Sequence, residues 1–265
     1  MDLAEQTWVI TGAAGTIGRT LRAGLAGAVG RLRLLDIAPQ APAGNAEELL
    51  TADVTDLAAM TDAFTGAHGV VHLAAIPDED DFHDLVRANV VGTYTVFEAA
   101  RRAGVARVVY ASSNRATGGY PTETTLDPSM PTRPDGYYGV TKVTGEALGR
   151  VFADKFGLAV ACLRIGSFDE RPQDDRQLST WLSPADAVAA FRAAMATPDL
   201  SFATFYAVSA NGHRWWDLSA GERLGFIPRD NADDHADGLT PVVRDQRPQG
   251  GRFATAQFTL DRQRH

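Results

Sequence analysis

Thr7-Trp8-Val9-Ile10-Thr11-Gly12-Ala13-Ala14-Gly15-Thr16-Ile17-Gly18 is the stretch on which the fold turns. Thr7 to Thr11 is a short apolar run of strand-forming residues, and it ends at a glycine. Gly12, Gly15 and Gly18 let the backbone turn sharply and approach a pyrophosphate, whose charge is met by the N–H groups and positive end of the helix that follows. A glycine triplet alone is an ordinary turn. Its place after a strand and at the opening of a helix makes it a phosphate cradle, with Thr16 and Ile17 in its wall.

Working outward, Arg31 to Asp36 is a second apolar run, Gly69 to Ala75 a third and Ala106 to Ser112 a fourth. Asp56 to Phe64 and Leu85 to Arg102, with helical apolar spacing, precede the third and fourth. Tyr138 to Phe156 reads as a long helix, followed by a strand at Gly157 to Arg164. Such alternation predicts an α/β fold: a doubly wound parallel sheet of the Rossmann kind, covered on both faces, with right-handed crossovers. Thr117 to Gly136 is loop chemistry. Beyond Phe168 only Pro184 to Ala196 is clearly helical, with a strand expected at Ala203 to Val208, a polar surface loop at Pro228 to Asp237 and a polar, mobile tail from Arg247. The expected division is a dinucleotide-binding domain over 1–167 and a small substrate-binding portion over 168–265, packed on the first and partly completing it.

The chain has 265 residues, with 25 basic and 33 acidic side chains and a formal net charge of −8. Length allows a sizeable core without staples, and the acidic balance argues against a nucleic-acid surface. No apolar stretch approaches the length of a membrane span, the N-terminus carries no secretory pattern, and the single cysteine, Cys162, excludes a disulfide framework and suits a cytoplasmic setting. No metal-ligand spacing is present; His72 in its apolar strand reads as structural, and the acidic run Asp78 to Asp81 reads as a solvated loop with a weak claim to be a lid.

Asp36 ends the second strand, 18 positions after Gly18. There a carboxylate can accept from the adenosine ribose hydroxyls and repels a 2′-phosphate, which favours NAD over NADP, although Arg31 and Arg33 stand nearby. Asp53-Val54 either holds the adenine amino group or starts the next helix as a cap. Tyr138 and Lys142, at i and i+4, share one helix face, where an ammonium favours phenolate and tunes a base. Ser112-Ser113 at the end of the preceding strand raises the significance of that pair.

Gly12, Gly15, Gly18, Asp36, Ser113, Tyr138 and Lys142 together resemble the extended short-chain dehydrogenase/reductase family, over Trp8 to about Ser167. The resemblance implies that Ser113 holds the reacting hydroxyl, Tyr138 exchanges its proton, and Lys142 binds the nicotinamide ribose and lowers the tyrosine pKa. It also places Leu73, Ala74, Ala75, Asn89 and Ile165 against the cofactor. A narrower resemblance, carried by Ala111 to Asn114, Arg133 to Val140, Arg164 to Ser167, Leu178 to Trp181, Ser209 to Asn211 and Trp215 to Asp217, is to bacterial uronate dehydrogenases. It implies NAD-dependent oxidation of the C1 hydroxyl of a cyclic uronic acid to an aldarolactone, in a self-associating protein.

Two positions depart from that pattern: Pro77 replaces a serine and Arg115 a histidine, both near the implied substrate. The short C-terminal portion leaves room for a small sugar acid only. By the same resemblance Asn114, Arg115, Ser167 and Arg176 position the sugar, with Arg176 the first candidate for its carboxylate and Arg115 a further donor. A nucleotide-sugar epimerase or dehydratase is the competing enzyme reading, weakened because Asn114-Arg115 stands where dehydratases place acids. A noncatalytic NAD sensor is the other; it has no need of serine, tyrosine and lysine in register.

Overall fold

The computed structural model describes residues 2–264. A sheet of seven parallel strands forms its centre: β1 (Thr7–Thr11), β2 (Arg31–Asp36), β3 (Glu47–Thr51), β4 (Gly69–His72), β5 (Arg107–Ser113), β6 (Ala159–Ile165) and, later in the chain, β9 (Phe202–Ala207). Their spatial order is β3-β2-β1-β4-β5-β6-β9, so the chain runs outward from β1 in one direction and then crosses back to β4. That reversal leaves a crevice at the carboxyl ends of β1 and β4, the place where doubly wound sheets bind ligands. A two-stranded parallel pair, β7 (Ser167–Phe168) with β8 (Trp181–Leu182), lies beyond it.

Helices cover both faces. On one, α1 (Thr16–Leu25) packs with α7 (Pro184–Ala196) over Trp8, Ile10, Leu34, Val109, Leu163 and Phe205. On the other, α2 (Leu57–Phe64), α4 (Gly92–Arg102) and α5 (Tyr137–Phe156) bury Val9, Leu35, Val70, Tyr110 and Cys162. Two short helices complete the numbering before α7: α3 (Phe82–Leu85) and α6 (Gln177–Thr180). Since β9 pairs with β6 and α7 packs on α1, the C-terminal third shares the central core. Among the described residues no helix is long and apolar enough to cross a membrane.

Three expectations need correction, and one strand of the central sheet was not foreseen. The third strand ends at His72, because Leu73 to Ala75 leave the sheet to line the crevice. The helix expected from Leu85 is three pieces, with a π-helical stretch at Val86–Val91 between α3 and α4. The edge strand β3 was not legible, since Glu47-Glu48-Leu49-Leu50-Thr51 is short and its pairing with β2 is a long-range event. Finally, the segment from Arg247 is tied down. The N–H groups of Gln249 and Gly250 donate to Tyr120 and Gly118 carbonyls at 2.7 and 2.8 Å, and Arg264 pairs with Asp80 and Asp84. Those partners lie more than a hundred residues upstream, out of reach of any local pattern. Two short helices, α8 (Ser219–Glu222) and α9 (Ala256–Leu260), lie in this last part of the chain.

Candidate active site

The glycine turn does what its composition requires. Gly12 sits at φ 74°, where side chains are strained, and a Cβ there would come within 2.6 Å of the Ala74 nitrogen. Gly15 caps α1 with no side-chain hydrogen bond, and no acid stands in the first turn, so the helix's positive end faces the crevice uncompensated. Asp36 closes the turn from the side: its Oδ2 accepts from the Ala14 N–H at 2.8 Å and its Oδ1 from Ala38 at 2.9 Å. Arg33 is engaged elsewhere, donating to Glu48 and to the Ala63 and Thr65 carbonyls, and Arg31 pairs with Glu48. The α2 cap is Asp56, which accepts from Ala59, whereas Asp53 and Val54 stand at the crevice wall.

At the other end, β5 delivers Ser113 and α5 delivers Tyr138 and Lys142 into the same cleft of about 1040 Å³. The Lys142 Nζ donates to the Ala111 carbonyl at 2.9 Å and lies 5.5 Å from the Tyr138 ring centre. Burial pushes the Tyr138 phenol up to about 12, opposed by the Ser113 hydroxyl and the Arg115 guanidinium. Burial also brings Lys142 down to about 8. Behind them α5 is anchored by a buried ion pair: Glu146 accepts from Arg164 at 2.9 Å through both nitrogens and from the Ser112 hydroxyl at 2.6 Å.

Arg176 and Arg115 share this end of the cleft and differ in what surrounds them. Arg176 donates from Nε to the Gln249 carbonyl at 2.7 Å and from Nη1, at longer range, to Ser167 and Thr180 hydroxyls. Among the described residues no carboxylate hydrogen-bonds to it, and burial brings its guanidinium down to about 10. Arg115 is enclosed by three carboxylates: Asp135 at 2.5 Å, Asp78 at 3.0 Å and Glu79 at 3.3 Å. Its charge is already overmatched, which argues against the expected role as a further donor to a substrate anion. Asn114 is buried in the cleft wall with an Nδ2 that has no partner.

Gly12, Gly15, Thr16, Ile17, Gly18, Asp36, Asp53, Val54, Leu73, Ala74, Ala75 and Ile165, expected against a cofactor, and Ser113, Asn114, Arg115, Tyr138, Lys142, Ser167 and Arg176 all line this one cleft. Asn89 does not. It lies behind the wall, accepting from Ile76 N–H at 2.8 Å and donating to the Ile76 carbonyl and the Thr141 hydroxyl, so it shapes the loop after β4 instead of touching a ligand. His72 is held between the Thr11 and Thr93 hydroxyls and is brought down to about 3 by burial, a neutral structural residue. Among the described residues no His, Cys, Asp and Glu group could hold a metal.

Two features escaped the sequence reading. Phe253 lines the cleft from the segment expected to be mobile; a Gly250-Gly251 pair just before an aromatic was the available signal. Within the acidic run, Glu79 is not solvated at all: its side chain is fully buried and hydrogen-bonded to the start of α5. Nothing in Asp78-Glu79-Asp80-Asp81 distinguishes it locally from its neighbours.

Residues 8–185 match the family described as "NAD dependent epimerase/dehydratase family". The chain is 41% identical over 252 residues to a uronate dehydrogenase of Agrobacterium fabrum, covering 92% of this chain and 95% of that one. It is 37% identical over 255 residues to the uronate dehydrogenase of Pseudomonas putida, covering 94% and 95%. A variant of the Agrobacterium tumefaciens uronate dehydrogenase, solved in complex with NAD, superposes with a TM-score of 0.88 at 40% identity, over 94% of this chain and 97% of that one.

Proposed function

The chain belongs to the NAD dependent epimerase/dehydratase family, and on that premise we propose that it oxidises the C1 hydroxyl of a cyclic uronic acid to the aldarolactone. NAD, when bound, supplies the hydride acceptor. The residues present fit it: a glycine turn packed too closely on Ala74 to admit a Cβ at Gly12, a helix amino end with no acid in its first turn for the pyrophosphate, and the Asp36 carboxylate at the ribose position, with Arg33 drawn off to Glu48.

Tyr138, as phenolate, takes the proton of the C1 hydroxyl while the C1 hydrogen leaves as hydride and the ring oxygen's neighbour becomes a carbonyl. Ser113 holds the reacting oxygen. Lys142 keeps a cation beside the phenol below about pH 8, and up to that range turnover rises with pH because burial favours the phenol over the phenolate. Asn114 Nδ2, Ser167 and Arg176 meet the sugar hydroxyls and carboxylate.

The observation that carries this reading is Arg176, a cleft guanidinium that among the described residues has no carboxylate hydrogen-bonded to it, in a protein of net charge −8. A site for a neutral sugar has no reason to hold it there. Residues 168–265 form the substrate portion on the same reading, through Phe168, Arg176 and Phe253. We place self-association on the outer face of α4 and α5, where Val91, Tyr94, Val140 and Val151 are exposed, and the protein in the cytoplasm.

The test is spectrophotometric. Glucuronate or galacturonate with NAD should generate NADH absorbance, and Tyr138→Phe should reduce it by about 10² to 10⁴ while NAD still binds. No NADH from either uronate would overturn the proposal.

A further inference from the structure

Glu79 is a carboxylate sealed from solvent at the point where three segments meet. Its Oε1 accepts from the Tyr137 N–H at 2.8 Å and from the Thr259 hydroxyl at 3.1 Å. Its Oε2 accepts from the Tyr138 N–H at 3.1 Å and from Arg115 Nη2 at 3.3 Å. All four donors are therefore satisfied by one side chain carried on a loop more than fifty residues upstream of α5.

The helix is built to receive it. Its own cap is Gly136, which offers no side-chain oxygen, and no acid stands in its first turn. A Cβ on Gly136 would come within 2.5 Å of Glu79 Oε2, so the missing side chain is what lets the carboxylate in. An anion there meets both the unpaired N–H groups and the positive end of a helix of 20 residues. One of those N–H groups belongs to Tyr138 itself. Through Arg115, whose guanidinium carbon lies 5.4 Å from the Tyr138 ring centre, the same carboxylate also holds the cation beside the phenol.

We propose that Glu79 is a positioning residue: it caps α5 from a distant loop and so fixes where Tyr138 presents its hydroxyl, with Thr259 tying the C-terminal segment to the same point. The proposal rests on the reading of Tyr138 as the proton-accepting group. Glu79→Gln keeps the shape but replaces one acceptor oxygen with an amide nitrogen, which cannot accept from an N–H. A misplacement of the order of 1 Å at a reacting group lowers turnover by up to about 10²-fold, so kcat on the uronate substrate is expected to fall by about 10- to 100-fold. NAD affinity, set chiefly at the opposite end of the cleft, is expected to stay within about twofold.

Hydrogen–deuterium exchange read by mass spectrometry separates positioning from general loosening. In Glu79→Gln, exchange should rise in peptides covering Gly136 to Val140 and remain at the wild-type level in those covering Ala147 to Phe156. Thr259→Val removes the tie to the C-terminal segment but leaves both helix N–H groups their acceptor, so exchange at Gly136 to Val140 should stay at the wild-type level. Glu79→Asp keeps the charge one methylene short and should fall between wild type and Glu79→Gln in kcat. Unchanged exchange at Gly136 to Val140 overturns the proposal, as does raised exchange there with wild-type kcat. Raised exchange along all of α5 with loss of cooperative thermal unfolding also overturns it, because Glu79 is then only part of the scaffold. A wild-type protein inactive on every uronate removes the activity reading, and the exchange pattern alone then decides the cap.

Discussion

Replacing Arg176 by methionine removes the charge from the sugar end of the cleft while keeping most of the side chain's volume. Burial, with the like charges of Arg115 and Arg252 beside it, brings this guanidinium down to about 10, a net penalty of roughly 3 kcal/mol that the water in an open cleft trims. Against that gain stands the charged hydrogen bond to the Gln249 carbonyl at 2.7 Å, worth about 1.5–3 kcal/mol, and two long ones to Ser167 and Thr180 that count for little. The two contributions nearly cancel. The variant is therefore expected to unfold within about 3 °C of wild type, since 1 kcal/mol moves Tm by about 2–4 °C in a chain of this size. Catalysis should respond very differently. Losing one partner of a desolvated, hydrogen-bonded charge pair costs about 2–5 kcal/mol, so kcat/KM for glucuronate should fall by about 30- to 5,000-fold, mostly through KM. The assay is initial-rate NADH formation over a wide range of glucuronate, with glucose as the uncharged counterpart and thermal unfolding in parallel. Equal proportional losses on glucuronate and glucose, or a Tm lower by more than about 8 °C, would refute the reasoning, because Arg176 would then be serving the fold and not the carboxylate.

Asp36→Asn should relax the choice of cofactor: the ratio of kcat/KM for NAD to that for NADP is expected to drop by about tenfold or more, since a repulsive charge is removed at the ribose. Lys142→Met should raise Tm at pH 7 and abolish turnover. The folded amine titrates near 8, below its unfolded value, so its penalty is fully present below pH 8 and fades as pH rises towards the ordinary lysine range; the Tm difference from wild type should shrink accordingly. His72 acts in the opposite pH range. It is neutral in the fold down to about 3, so below its ordinary value the unfolded chain binds a proton that the folded one does not. Stability should then fall by about 1.4 kcal/mol per pH unit over that window, measured by denaturant titration, and a His72→Gln variant should lack this component of the slope.

An anionic protein that takes up two anionic ligands has to manage charge locally. Arg33 faces Glu48 on the outside of the sheet, and Arg115 is neutralised by Asp78, Glu79 and Asp135. Among the described residues, that leaves the amino end of α1 for phosphate, and Lys142 and Arg176 as cleft cations with no carboxylate bonded to them. Arg115, paired with Asp78 and Glu79, braces the loop that carries both.

The glycine turn, the Asp36 terminus and the Tyr138–Lys142 pair were legible because each is set by neighbours within a few residues: a strand that stops at glycine, a carboxylate at a strand end, two side chains one helical turn apart. Alternating apolar runs were enough to find β1, β2, β4, β5 and β6 and to assign them to one parallel sheet, whose spatial order the structure supplied. Tertiary structure alone decided the charge states and partnerships. Whether an arginine is left without a carboxylate, as Arg176 is among the described residues, or enclosed by them, as at Arg115, depends on groups brought in from up to 73 residues away. The same holds for Glu79, one acid among four in a row, which becomes the cap of α5 only because folding removes water from it and sets two helix N–H groups in its place. Local chemistry is written in the order of residues; desolvation and long-range pairing exist only once the chain has closed on itself.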